Sequence, residues 1–403
     1  MRAVEKGLTP LSKAMRSVVA LVALSTVAVC SIVYLSPEPE LVHAQVLFRH
    51  GDRAPMYTFP NDIHQEDAWP AGWGEMTTIG MDQLYQQGLR LKQRYIDELK
   101  LVNSTYHHKE VYIRSSDRGR TLQSASSLLA AFYRDSVGTL PNWNPDWPTT
   151  FNPVPVHTVP ENEDHLLNMD RSCPRKVFLD RERMSNPNVK EYFAKQQDLY
   201  DYLTNMTGTK FSKYSNLQYF FDTIQVERRH NLTIAPWITQ QLLDRIEEVL
   251  NKVADYYYGL PGFGWPENSE MVKINVGYLL YDIVNKMLKT TKDIPQPKFY
   301  GYSTHDTQIL SFMRTLGAKS TVTQNKRLID MGAMLSLELW KQEESYFVKM
   351  LFSANNTQPF EDFTKAIVGC PLRGLCPLET FVNLRQKYML KDPVKECARV
   401  NTR

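Results

Sequence analysis

The stretch Val46-Leu47-Phe48-Arg49-His50-Gly51-Asp52-Arg53-Ala54-Pro55 starts as an apolar strand and ends abruptly in two arginines, a histidine, an aspartate and a proline. Packing gives no reason for a buried strand to empty into two guanidiniums and an imidazole. An anion site does. The guanidinium fork donates hydrogen bonds in pairs to phosphate, and a neutral imidazole nitrogen beside it is a competent nucleophile. Such a site still lacks an acid, which the rest of the chain must supply.

Two further segments end in the same way. Glu110 to Ile113 makes a short strand running into Arg114-Ser115-Ser116-Asp117, and Pro297 to Ser303 makes one running into Thr304-His305-Asp306. A helix follows each strand. After the first, Met81, Leu84, Gly88, Leu91 and Tyr95 recur at helical spacing, with Thr77 or Thr78 as cap. After the second the stripe is Leu122, Ala125, Leu129 and Phe132; after the third it is Ile309, Met313 and Leu316, stopping at Gly317. Repeated strand–loop–helix units point to an α/β fold with a central, mainly parallel sheet flanked by helices. Ligands of open α/β sheets bind outside the carboxyl ends of the strands. The three clusters are therefore expected to meet in one crevice, contributing Arg49, Arg53, Arg114, His50, His305 and Asp306.

Composition shifts at Pro141, from which a Pro-, Trp- and Asn-rich loop runs to Pro174, and residues 176 to 260 are helical in pattern. The clearest helix is Trp237 to Tyr258, with Ile238, Leu242, Ile246, Leu250 and Val253 on one stripe and Gly259 as its stop. This gives an α/β catalytic domain of residues 37–140 and 265–403, with a smaller helical cap, 141–264, inserted into it. The α/β pattern resumes with a helix from Val276 to Leu288. Ala333 to Trp340 and Tyr346 to Phe352 read as a hairpin.

The 403 residues are 42% apolar and 23% charged, the balance of a globular protein. The formal charge is +3, and the leader alone supplies it through Arg2, Lys6, Lys13 and Arg16 against Glu5, so the chain from Pro37 onward is near neutral. That excludes nucleic acid as the main partner, which needs a basic face. Ser17 to Leu35 is almost wholly apolar and follows the basic residues. Residues 1–36 thus read as a cleaved signal peptide or an N-terminal membrane anchor. Either places the remainder in the secretory lumen or outside the cell. Asn-X-Ser/Thr sequons at Asn103, Asn205, Asn231 and Asn355 agree with that route. So do the cysteines: with Cys30 in the leader, an even four remain for an oxidising compartment. No Cys/His cluster has zinc spacing, so neither a metal nor a cofactor is expected.

Phosphoryl transfer uses the parts the three clusters bring. Arginines neutralise the charge held on the phosphoryl oxygens. His50 splits hydrolysis into two easier steps through a covalent phosphohistidine. A carboxylic acid protonates the leaving alkoxide, a contribution of about 10²–10⁴ in rate. Outside these clusters, His157 and His165 read as loop or rim residues, and His43, His64, His107, His108 and His230 as surface or structural ones. Tyr256-Tyr257-Tyr258 reads as packing, and Asp52 as either a tuning group or a solvated loop carboxylate.

Arg49-His50-Gly51-Asp52-Arg53-Ala54-Pro55 resembles the RHGxRxP signature of the histidine acid phosphatases. Gly301 to Thr307 is similar to that family's His-Asp motif, and Val111 to Asp117, with Arg120-Thr121 following, to the segment carrying its third phosphate arginine. Pro155-Val156-His157-Thr158-Val159-Pro160 also resembles the prostatic and lysosomal members, and the similarity runs from about residue 41 to 397. The resemblance implies His50 as nucleophile and Asp306 as proton donor. Arg49, Arg53, Arg114 and His305 would bind phosphate, and Gly51 would let the backbone approach and orient the His50 ring. It further implies the disulfides Cys173–Cys397 and Cys370–Cys376, a homodimer, and an acid phosphatase acting on small-molecule phosphomonoesters or phosphoprotein. Narrower readings are a phosphatase for lysophosphatidic acid or inositol phosphates, and a catalytically weak secreted binding protein on the same scaffold.

Overall fold

Strand β1 (Glu40–Arg49) is buried along nearly its whole length, and its neighbours explain why. It lies between β4 (Phe299–Thr304), to which it is parallel, and β5 (Met334–Gln342), to which it is antiparallel. The sheet order is β3 (Val156–His157), β2 (Val111–Ser115), β4, β1, β5, β6 (Ser345–Ser353) and β7 (Glu361–Asp362), with β8 (Cys376–Pro377) also paired to β6. The strands from β3 to β1 are parallel and those beyond are antiparallel. This computed structural model describes residues 37–136, 140–141, 143–148, 151–371 and 374–399. The leader, with Cys30, lies outside them. Among the described residues no helix is long and apolar enough to cross a membrane.

Alternate residues of β1 feed two cores, as the pleat requires. Val46 and Phe48 pack with helices α1 (Thr78–Lys92) and α2 (Gly119–Phe132) through Leu84, Leu91, Leu128 and Phe132. Leu47 joins the opposite core. There it meets Leu280, Ile283, Phe312 and Met313, which come from helices following the insertion. Both faces of the parallel strands are thus covered, and β1 presents apolar residues to both, with buried His43 and Gln45 as its polar interruptions. Thr77 caps α1 by accepting from Gly80 N at 3.3 Å. Met81 of the predicted apolar stripe is exposed; the buried face runs through Leu84, Gly88 and Leu91 and continues as a π-helical turn to Tyr95.

The insertion comprises α3 (Pro174–Met184), α4 (Pro187–Ala194), α5 (Gln197–Thr207), α6 (Tyr214–Arg229) and α7 (Gln240–Tyr257). Helices α5, α6 and α7 share a core built from Leu203, Leu217, Phe220, Ile224, Ile246, Leu250 and Val253, against which Tyr192 and Phe193 of α4 pack, whereas Leu179 of α3 packs with Met271 and Ile274. Leu243 takes the stripe position expected of Leu242, and Gly259, at φ 103°, ends the run. The stretch before α3 is not loop alone, because Val156 and His157 add an edge strand by parallel pairing with Ile113 and Arg114.

Helix α8 (Ser269–Thr290) starts earlier than the expected Val276 because Asn268 caps it, accepting from Met271 N at 2.9 Å. Helix α9 (Asp306–Thr315) follows β4 directly, and Gly317, at φ 67°, terminates it. The short α10 (Lys319–Thr323), α11 (Leu378–Arg385) and α12 (Pro393–Cys397) complete the helices. Disulfides join Cys173 to Cys397, tying the start of α3 to α12, and Cys370 to Cys376.

Candidate active site

Register brings the three strand exits together. Arg49 of β1 pairs with Thr304 of β4, and Ser115 of β2 pairs with Ser303, so the strands end at nearly one level. Beyond that edge His50 N donates to Thr304 O at 3.1 Å, while Gly332 N donates to His50 O at 3.1 Å. The backbone of His50 is therefore held from both neighbouring strands.

Gly51 fixes how close the loop comes to α1. A Cβ there would stand 2.3 Å from Gly80 O, and a Cβ on Gly80 would stand 2.2 Å from Asp52 O. Only glycine at both positions allows that approach, which carries the loop across the start of α1. The His50 ring then bonds Gly51 O through Nδ1 at 2.8 Å. A carbonyl only accepts, so Nδ1 carries the proton and Nε2 carries the lone pair. Burial, then the charges of Arg120, Arg49, His305 and Arg53, holds the imidazole pKa well below its ordinary range. Burial and these neighbouring charges thus favour the neutral imidazole, with its lone pair on Nε2.

Arg49 and Arg53 are buried beside it at 5% and 7% exposure. Arg49 pairs with Asp306 at 3.0 Å and donates to Ile329 O. Arg53 is gripped by Asp222 of α6, whose two oxygens lie 3.0 and 3.1 Å from its terminal nitrogens. In both arginines Nε is buried and has no hydrogen-bond partner among the described residues.

Arg120, Arg327 and Arg385 share this property, and of them Arg120, not Arg114, is among the leading charges that act on His50. Arg120, in the first turn of α2, has a buried Nε without a partner. Burial, followed by the charges of Arg53 and Arg118, pushes its pKa down to about 10. It is also the first charge felt by both His50 and His305 after burial itself. Arg114 is engaged elsewhere. It pairs with the buried carboxylate of Asp164 at 2.8 Å, donates to Ser115 O, and lies 3.4 Å from Thr158 Oγ1.

His305 and His50 meet edge to face, with ring centroids 5.5 Å apart. Ser116 Oγ is 3.0 Å from His305 Nε2 and in turn 2.9 Å from Thr121 Oγ1. Burial, reinforced by Arg120, lowers the His305 pKa to about 3. Asp306 is the first residue of α9 and accepts from Thr307 N at 2.7 Å. Burial opposes its ionisation, but Arg49, the Thr307 N–H, His305 and Arg53 outweigh it and hold the carboxyl below the usual range.

Asp52 is not a solvated carboxylate. It is 1% exposed and accepts from Thr77 Oγ1 at 2.7 Å, Arg229 Nε at 3.1 Å and His230 Nε2 at 2.6 Å. His230, read as surface or structural, thereby braces the loop after β1 from α6. His157 stacks on Tyr112 at 4.5 Å, away from the cluster, and Tyr256 bonds Arg183 O at 2.8 Å as packing would have it. Of the sequon asparagines, Asn103, Asn205 and Asn231 are exposed and Asn355 is half-buried. Among the described residues no three His, Cys, Asp or Glu side chains are grouped to hold a metal.

The sequence matches the family described as Histidine phosphatase superfamily (branch 2) over residues 40–353, and the chain belongs to it. Among curated proteins it is similar to prostatic acid phosphatase of Homo sapiens, 32% identical over 368 residues, covering 90% of this chain and 89% of that one. Lysosomal acid phosphatase of Homo sapiens is 32% identical over 354 residues, covering 87% and 79% respectively. Among solved structures the phytase of Citrobacter braakii superposes with a TM-score of 0.60 at 15% identity, covering 90% of this chain and 100% of that one. That likeness concerns the fold.

Proposed function

We propose that the protein is an acid phosphatase that hydrolyses phosphate monoesters through a phosphohistidine on His50, in the secretory lumen or outside the cell. One observation carries this reading: Arg49, Arg53 and Arg120 each keep a buried Nε–H without a partner among the described residues, and all three bear electrostatically on a histidine whose Nε2 holds a free lone pair. Three guanidiniums with unused donors match a phosphoryl group with charge on three equatorial oxygens. Arg120 takes the place that the sequence reading gave Arg114.

His50 Nε2 attacks phosphorus, and the P–O bond to the leaving group breaks as the P–N bond forms. Asp306 gives its proton to the leaving oxygen. Water then attacks the phosphohistidine, Asp306 takes a proton from it, and the P–N bond breaks to release phosphate. Asp306 sits against Arg49 with a lowered pKa, so the proton it needs must arrive with the substrate. Phosphate monoesters lose their second proton near about pH 6. Below that the monoanion supplies a proton, while the depressed pKa of His50 preserves its lone pair. The outcome is an acid optimum.

Replacing His50 by alanine and assaying an aryl phosphate at pH 5 should reduce kcat on the order of 10⁴-fold or more, the scale of a lost nucleophile. Acid-labile phosphoprotein should form in a single turnover with the wild type and be absent from the variant. A variant retaining more than a tenth of wild-type activity would overturn the assignment. The same reading sends the chain along the secretory route with glycans at Asn103, Asn205, Asn231 and Asn355.

A further inference from the structure

Helix α6 of the insertion touches the catalytic loop at three places. Thr223 Oγ1 donates to Tyr57 O at 2.9 Å. Arg229 and His230 bond the carboxylate of Asp52. Between them Asp222 grips Arg53, with Oδ1 3.1 Å from one terminal nitrogen and Oδ2 3.0 Å from the other. The second of these nitrogens also donates to Ala54 O at 3.0 Å. Both terminal nitrogens are thereby engaged within the protein, and of the five N–H donors the buried Nε–H has no partner among the described residues.

We propose that Asp222 is a positioning residue for phosphoryl transfer, and that by holding Arg53 from the side of the insertion it fixes the direction in which Arg53 presents Nε–H to phosphate. The inference rests on the phosphate-site reading given above. The backbone of Asp222 is well placed to orient a partner, because Phe220, Phe221, Ile224 and Val226 around it are all buried. Its carboxylate also carries the largest of the interactions that raise the Arg53 pKa against the cost of burial.

Two effects of Asp222 oppose each other. Its negative charge repels phosphate, whereas its grip aims a donor at phosphate. Asp222 and Arg49 line the same cavity, of about 560 Å³, whose other charged lining residues are Arg229, Lys326 and Arg327 and the acidic Glu247 and Asp330. Repulsion from a carboxylate already paired with Arg53 at 3.0 Å is weak. The loss of direction in a charge-assisted donor is therefore the larger effect.

The test uses inorganic phosphate as an inhibitor of the full-length enzyme at pH 5. In Asp222→Ala, the inhibition constant for phosphate and the KM for an aryl phosphate should both rise by about tenfold, the size of one hydrogen bond to a charged group. Asp222→Asn keeps one acceptor and should show a smaller rise in both. A merely structural role would lower kcat by reducing the amount of folded enzyme and leave the inhibition constant unchanged. Phosphate binding to Asp222→Asn as tightly as to the wild type, or more tightly, would overturn the proposal even if the alanine variant fails to fold. A wild-type enzyme that phosphate does not inhibit would instead remove the phosphate-site reading itself, and this inference with it.

Discussion

The carboxyl ends of β1 and β2 invite comparison. Both strands are parallel to β4 and flank it, and both carry an arginine near the exit. Arg49 pairs in register with Thr304, the last residue of β4, whereas Arg114 pairs with Tyr302. Arg114 therefore leaves its strand two residues earlier, about 7 Å short at the usual rise per residue. At that depth it meets Asp164, which is 1% exposed, and the two neutralise each other. Six residues later in sequence, the first turn of α2 delivers Arg120 with an unpartnered Nε. Arg114 is thus paired with Asp164 and Ser115 O short of the sheet edge, whereas Arg120, beyond it, keeps a buried Nε without a partner among the described residues.

The comparison can be broken most directly at Arg120. Arg120→Ala should lower kcat/KM for an aryl phosphate by about 10²–10³-fold, the scale for losing one donor to developing charge; a change under tenfold would return Arg114 to the clamp. Asp306→Ala comes next. It should cost about 10²-fold or more with an alkyl phosphate and much less with a good aryl leaving group, and equal losses on both would contradict its role as the acid. Arg114→Ala should change kcat/KM by less than about tenfold while destabilising the fold by about 3–5 kcal/mol, because it strands Asp164 as a buried unpaired charge. Thermal melts beside steady-state rates would separate these two consequences.

A pH-dependent effect on stability, rather than on rate, is expected where α6 meets the loop after β1. Burial, together with a hydrogen bond to Asp62, raises the pKa of Glu227 to about 9. The folded protein keeps this proton while the unfolded chain loses it above the ordinary glutamate range. The stability contributed is thus fully present below about pH 4.5 and lost as pH rises toward 9. The melting temperature should fall across that window, and Glu227→Gln should flatten the slope. An unchanged slope in the variant would show that the contact between α6 and the loop is not the pH-sensitive element.

Much of the site was legible because its motifs are local. Arg49, His50, Gly51 and Arg53 sit within one turn of chain, and His305-Asp306 marks a strand-to-helix junction whose polarity packing does not explain. Arg120 was passed over because strand β2 runs on to Ser115, past the expected end at Ile113, so the first arginine seemed to stand at the exit. On the reading proposed above, strand register rather than residue type separates the two arginines. Asp164 and Asp222 had no signal at all: each is a single aspartate in the inserted segment, far in sequence from the arginine it holds.

By itself the sequence determined the class of fold and the family to which the chain belongs. Strand and helix periodicities, with arginine, histidine and aspartate at strand ends, are properties of short segments, and short segments fix which functional groups are present. Only the tertiary structure decided which of those groups are free to act. A guanidinium's availability depends on whether a carboxylate from a distant segment is packed against it, and that is set by strand register, by the approach of α1 to Gly51, and by the way α6 lies across the loop.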